Sequence, residues 1–173
     1  MLSVKSYSMS FINKHIPALA IILSGSALVL AWIFEYGFGY LPCTMCYWQR
    51  YAHVFVIFIA VLMLLVRRHS NQYTFHMNIL LILAFLVSAT LALWHTGVEF
   101  NWWDGPETCS SNNQNYKFDI NNPLSGLDEI IRPPACSEAV WHFLGLSMAA
   151  WNFLISLSGA LMASLAIRLD LEK

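Results

Sequence analysis

Four long apolar runs govern what this chain can fold into. They cover residues 17–34, 47–66, 77–94 and 143–167. At about 1.5 Å of rise per residue, a helix of about 20 residues crosses roughly 30 Å of hydrocarbon. Each run therefore predicts a transmembrane helix. Charged residues make up only 11% of the chain and hydrophobic ones 58%, whereas a soluble domain carries about 25% charge. The fold class expected is an all-α membrane protein, one domain spanning residues 1–173. Lys5 and Lys14 precede the first run, as in a signal peptide. The run exceeds the roughly 7–15 residues of a signal's apolar region, and more spans follow, so it reads as an uncleaved first helix.

Short flanks rich in Lys and Arg face the cytoplasm. Lys5, Lys14, Arg67, Arg68, Arg168 and Lys173 fall on one side; Arg50, Lys117 and Arg132 fall on the other. Both termini are therefore expected inside, with outer loops at about 35–46 and 95–142. A net charge of −1 and the lack of a basic stripe give no basis for nucleic-acid binding.

All four cysteines, Cys43, Cys46, Cys109 and Cys136, fall in the outer loops, the oxidising side. Two structural disulfides are the plain alternative. A Cys-x-x-Cys bridge, however, closes so small a loop that chain entropy assigns it little stabilisation. Pro42 precedes the pair and an apolar helix follows. A helix N-terminus favours a thiolate. Arg50 lies four residues after Cys46, on the same helical face. An Arg in a membrane helix otherwise snorkels to the head groups; beside Cys46 it suits a site that stabilises negative charge. The expectation is that Cys46 is the thiolate and Cys43 the more exposed end of the pair.

Electrons leaving such a pair need an acceptor, and a lipid-soluble quinone suits the position. Quinone carbonyls accept hydrogen bonds and become anionic on reduction. Arg50 and His95, at the end of the third run, are the available donors. Zinc fits poorly, because the second cysteine pair lacks the close spacing of a four-thiolate site, and no metal is expected.

The second outer loop holds seven of the ten acidic residues, and loops of this length in compact chains are usually functional. Trp102 and Trp103 are expected at head-group level. Asn122-Pro123 reads as a helix start; Leu124, Leu127, Ile130 and Ile131 recur at helical spacing, and Pro133-Pro134 stops the run. A short amphipathic helix lying on the membrane follows from this pattern.

The chain closely resembles the disulfide bond formation protein B (DsbB) family. The resemblance rests on Cys43-Thr-Met-Cys-Tyr-Trp-Gln-Arg50, Trp94-His-Thr-Gly97 and Trp103-Asp-Gly-Pro-Glu-Thr-Cys109. It continues with Cys136 and Trp141-His-Phe-Leu-Gly-Leu-Ser-Met148. It implies a four-helix bundle in the bacterial inner membrane. It also implies a protein-dithiol:quinone oxidoreductase that reoxidises a DsbA-like periplasmic thiol oxidant, with ubiquinone or menaquinone as acceptor. By resemblance, Cys109 receives the partner's attack, Cys136 is its disulfide partner, Cys43 exchanges with that loop pair, and Cys46 faces the quinone. Arg50 and His95 hold the quinone, and Leu91, one turn before His95, lines its pocket. Trp48 stands where many members have Tyr. A structural membrane protein with static disulfides and a relay dedicated to one specialised partner are the alternative functions.

Overall fold

The computed structural model describes residues 2–69, 73–109 and 134–171. Four helices dominate it: α1 (Leu2–Trp32), α2 (Thr44–His69), α3 (Thr74–Glu99) and α4 (Met148–Leu171). Within them, His15–Gly37, Thr44–Val66, Thr74–Glu99 and Met148–Arg168 are each long and apolar enough to cross a membrane. Consecutive helices pack against one another and α1 meets α4, which closes the ring. The fold is a four-helix membrane bundle. The amphipathic helix expected over 123–131 lies outside the described residues.

Packing follows the sequence pattern of each helix. On α2, Gln49, His53, Val56, Ala60 and Met63 are buried. Their alternating spacing of four and three residues places them on one stripe of a helix. Ile16 and Ala20 of α1, Leu81 and Phe85 of α3, and Ala160, Ala163 and Ala166 of α4 complete the core. The alanines let helices approach closely, which is how bundles pack in lipid, where apolar burial alone gives no advantage. Large apolar side chains such as Ile22, Phe55, Phe58, Val87 and Leu161 point outward, as a lipid-facing surface requires.

Two ends depart from the apolar runs. α1 passes into a π-helical segment, Ile33–Gly37, whose wider turn re-aims its side chains. At the other departure, residues 143–147 belong to the fourth apolar run but are not helical. His142–Phe143 and Leu146–Ser147 pair as a two-stranded antiparallel hairpin. Leu144 and Gly145 form its turn with φ of 52° and 79°, the left-handed pair of a tight hairpin, which Gly145 adopts without strain. α4 then starts at Met148, and the Ala150 N–H donates to Ser147 Oγ at 3.2 Å, so a serine cap fixes the start.

Candidate functional site

The Cys-x-x-Cys sits where α2 begins. Cys43 immediately precedes the helix and acts as its cap: the Tyr47 N–H donates to its carbonyl at 3.3 Å, and the Cys46 N–H to its Sγ at 3.3 Å. Cys43 and Cys46 are not disulfide-bonded to each other; their sulfurs lie 2.7 Å apart. Cys43 is buried and Cys46 is partly exposed. This corrects the expectation that Cys43 is the more exposed of the two. The physical reason is the cap itself, which turns the Cys43 sulfur inward over the helix end.

The same geometry places hydrogen-bond donors around the Cys43 sulfur. The contact with Cys46 holds the Cys43 pKa below the ordinary cysteine value, burial opposes this, and His95 adds to the lowering. The capping position brings the Cys46 backbone N–H and His95 Nε2 to the Cys43 sulfur.

His95 lies inside α3, one turn before the helix ends at Glu99. Its Nε2 is 3.6 Å from Cys43 Sγ and 4.0 Å from Glu99 Oε1. The Ser147 hydroxyl donates to Glu99 Oε2, tying the start of α4 to the end of α3. On its other side, His95 Nδ1 is 2.7 Å from Gln49 Nε2. The Asn152 amide donates to Gln49 Oε1, and His53 Nε2 lies 2.6 Å from Asn152 Oδ1. His53 Nδ1 meets Ser24 Oγ at 3.2 Å. A polar chain thus runs from α1 through α2 and α4 to the cysteine pair.

Cys109 and Cys136 are disulfide-bonded, and both are buried. Cys109 closes a single 3-10 turn, Glu107–Cys109. Thr44 Oγ1 donates to the Thr108 carbonyl at 3.4 Å, which ties this turn to the start of α2. The preceding loop is seated on α3 by Trp103. Its indole Nε1 donates to the Trp94 carbonyl at 2.9 Å, and its ring covers Gly97 so closely that a Cβ there would lie 2.0 Å from Cζ2. Trp102 and Trp103 both remain largely exposed. The outcome is that the Sγ atoms of Cys43 and Cys136 and a ring nitrogen of His95 all lie within 4.8 Å of one another. Cys136 is held in a disulfide, so the group is arranged for sulfur exchange; a metal would need its free thiolate.

A cavity of about 400 Å³ opens beside the pair, lined by Cys43, Cys46, Arg50 and His95, with Leu28 and Ala31 of α1, Phe34 of the π-helical segment, and Met148 and Trp151 of α4 among its apolar walls. Its volume lies within the roughly 300–1,000 Å³ of small-molecule sites. Arg50 donates to Glu35 on the π-helical segment and to the Ala31 carbonyl at 3.4 Å; its guanidinium lies 5.3 Å from the Tyr47 ring centroid. Arg50 is thus held in an ion pair and does not snorkel. Leu91 is not among the lining residues. The buried stripe of α3 runs through Phe85, Ser88, Ala92 and His95; Leu91 flanks it, and the cavity opens toward α1 and α4.

Sequence reasoning located Cys43, Cys46, Arg50, His95, Cys109 and Cys136 and missed Glu35, Gln49, His53, Glu99 and Asn152. A signal existed for two of them, since Gln49 and His53 extend the buried stripe of α2 toward its start.

Comparison with known proteins agrees with this architecture. A family model described as Disulfide bond formation protein DsbB matches residues 13–166. Disulfide bond formation protein B of Shewanella sp. (strain MR-4) is 32% identical over 156 residues, covering 87% of this chain and 86% of its own. The protein of the same name from Pasteurella multocida (strain Pm70) is 30% identical over 140 residues, covering 78% and 75%. An uncharacterized protein of Rickettsia prowazekii (strain Madrid E) is 28% identical over 147 residues, covering 83% and 81%. No solved structure matches the chain.

Proposed function

The chain belongs to the DsbB family of disulfide bond formation proteins, a multi-pass membrane oxidoreductase, and from that premise we propose that it oxidises a reduced thioredoxin-fold dithiol protein and delivers the two electrons to a membrane quinone. The orientation that fits is one with both termini cytoplasmic and the cysteine loops periplasmic, in the inner membrane of a bacterium.

One observation carries the reading: two cysteine pairs, one reduced and one oxidised, meet with Cys43 Sγ and Cys136 Sγ within 4.8 Å. Exchange needs a thiolate close to a disulfide sulfur. In the proposed cycle both pairs begin oxidised. A partner thiolate attacks Cys109 Sγ, the Cys109–Cys136 bond breaks, and Cys136 leaves as thiolate. The partner's second thiolate resolves the mixed disulfide and releases Cys109. Cys136 then attacks Cys43, breaking the Cys43–Cys46 bond; Cys109 attacks Cys136 and frees Cys43. The inner pair ends with two electrons and the outer pair is a disulfide again.

The residues beside the inner pair fit a quinone. The cavity has apolar walls for a ring and tail, and Arg50 and Cys46 at its polar end. Arg50 would hold a carbonyl there, with Glu35 fixing the guanidinium plane, while His95 Nε2 faces the Cys43 sulfur. When bound, the quinone supplies a two-electron, two-proton acceptor, and Cys43 and Cys46 re-form their bond.

The test is a coupled assay in proteoliposomes with a reduced thioredoxin-fold protein and either ubiquinone or menaquinone. The expected result is one quinone reduced per dithiol oxidised, lost on Cys→Ala substitution at any of the four positions. Partner oxidation that continues without quinone, or in the Cys43→Ala chain, contradicts the proposal. Failure to trap any mixed disulfide at Cys109 would favour static disulfides.

A further inference from the structure

The polar chain behind His95 has a direction. Asn152 Oδ1 lies 2.6 Å from His53 Nε2 and accepts from the Ser156 hydroxyl at 3.4 Å. Its amide NH₂ is therefore the end that donates to Gln49 Oε1. This leaves the Gln49 NH₂ facing His95 Nδ1 at 2.7 Å. An amide nitrogen can only donate, so Nδ1 must be the bare, accepting nitrogen. The single proton of a neutral imidazole then sits on Nε2, which faces Cys43 Sγ at 3.6 Å and Glu99 Oε1 at 4.0 Å. Flipping either amide alone would set donor against donor or acceptor against acceptor, and reversing both together would put the proton on Nδ1 and turn the bare Nε2 toward the Cys43 sulfur and the Glu99 carboxylate. Ser24, His53, Gln49 and His95 are all buried, so the low-dielectric cost of such a mismatch is not relieved by bulk water.

We propose that Asn152 and Gln49, anchored on His53, form a one-way hydrogen-bond relay that fixes the proton of His95 on Nε2, aimed at the Cys43 sulfur. These are positioning residues: none touches the reacting sulfurs, and each acts through His95. The opposite tautomer would turn a lone pair toward a thiolate and remove a donor from the exchanging sulfur. The relay also reaches across three helices, since His53 and Gln49 stand on α2, Asn152 on α4 and His95 on α3, with Ser24 of α1 accounting for the remaining His53 nitrogen. The buried Ser88–Ser156 hydroxyl contact at 2.9 Å extends it one step further along the α3–α4 seam. The role rests on Cys43 being the exchanging thiol.

The experiment is ¹⁵N spectroscopy of histidine-labelled full-length chain in bilayers, with the His95 signals assigned by their loss in His95→Phe. The wild-type chain should show an unprotonated Nδ1 and a protonated Nε2. In Asn152→Leu, similar in volume, and in Gln49→Met, both signals should move toward averaged values as the two tautomers mix. With Cys46→Ala as background, alkylation of Cys43 below its midpoint pH should slow in both variants, about tenfold for each pKa unit by which the thiol rises. A proton on Nδ1 in the wild type overturns the proposal whether or not the variants fold. Unmoved His95 signals in a variant that still melts cooperatively overturn it as well, as does an unchanged alkylation rate where the tautomer has shifted. Neither readout requires a partner or an electron acceptor. Failure of the relay thus leaves the exchange reading standing, and failure of exchange leaves the tautomer measurable.

Discussion

Replacing Cys46 by alanine isolates what holds Cys43 ionised. Three polar groups surround the Cys43 sulfur: the Cys46 sulfur at 2.7 Å, the Cys46 backbone N–H at 3.3 Å and His95 Nε2 at 3.6 Å. Cys46→Ala removes the first, keeps the backbone N–H, and leaves no polar group unpartnered. A hydrogen bond to a charged group contributes about 1.5–3 kcal/mol. A thiol is a weak donor, which favours the lower end. At 1.36 kcal/mol per unit, the midpoint should rise by about one pKa unit from a wild-type value below that of an ordinary cysteine. At the pH of the wild-type midpoint the ionised fraction would fall from about one half to about one tenth, a roughly fivefold loss of reactive thiolate; well above both midpoints little would change. The sign is that of an acid held low by its partners: reactivity is present above the folded pKa and is lost as pH falls through it. The assay is the rate of iodoacetamide alkylation of Cys43 from acid to neutral pH, read by mass spectrometry of the labelled peptide. Each curve is normalised to its own plateau, since nucleophilicity falls with pKa. A wild-type midpoint at the ordinary cysteine value, or an unmoved midpoint in Cys46→Ala, refutes the reasoning.

Glu35→Gln converts the charge-assisted bond to Arg50 into a neutral one and should cost about 1–2 kcal/mol in denaturant unfolding of the detergent-solubilised chain; an unchanged midpoint counts against the ion pair. Arg50→Lys keeps the charge but loses the planar fork, so quinone KM should rise in Arg50→Lys and further in Arg50→Ala; wild-type turnover in both would move the acceptor site elsewhere. Gly97→Ala drives a methyl into the Trp103 ring and should cost about 1–3 kcal/mol, shift tryptophan fluorescence, and slow partner exchange at Cys109 more than Cys43 alkylation; equal loss of both would mean a general folding defect.

Much of this architecture is legible in the sequence because lipid imposes a simple length rule. Four apolar runs translate into four helices, and cysteines placed at helix ends meet because those ends share one face of the membrane. What hydropathy does not encode is local geometry at the rims. Residues 143–147 are apolar enough to continue a span, yet the left-handed turn at Leu144 and Gly145 folds them into a hairpin. The partner of Arg50 depends on a π-helical segment that brings Glu35 to it. Spacing places Cys46 and Arg50 on one face, but it does not say that Cys43 caps α2 and takes the donors. Gln49 and His53 were readable as the polar start of an apolar stripe. Asn152 was not, because its significance lies in partners more than 90 positions away in the chain.

The most direct test of the account is whether the inner and outer pairs exchange through Cys43 and Cys136. A chain carrying Cys46→Ala and Cys109→Ala keeps only those two cysteines. Mild oxidation in bilayers, followed by non-reducing digestion and mass spectrometry, reads their state. The account predicts a Cys43–Cys136 disulfide in the folded chain, because the two sulfurs lie within 4.8 Å. Recovery of both as separately alkylated thiols from folded protein would contradict it.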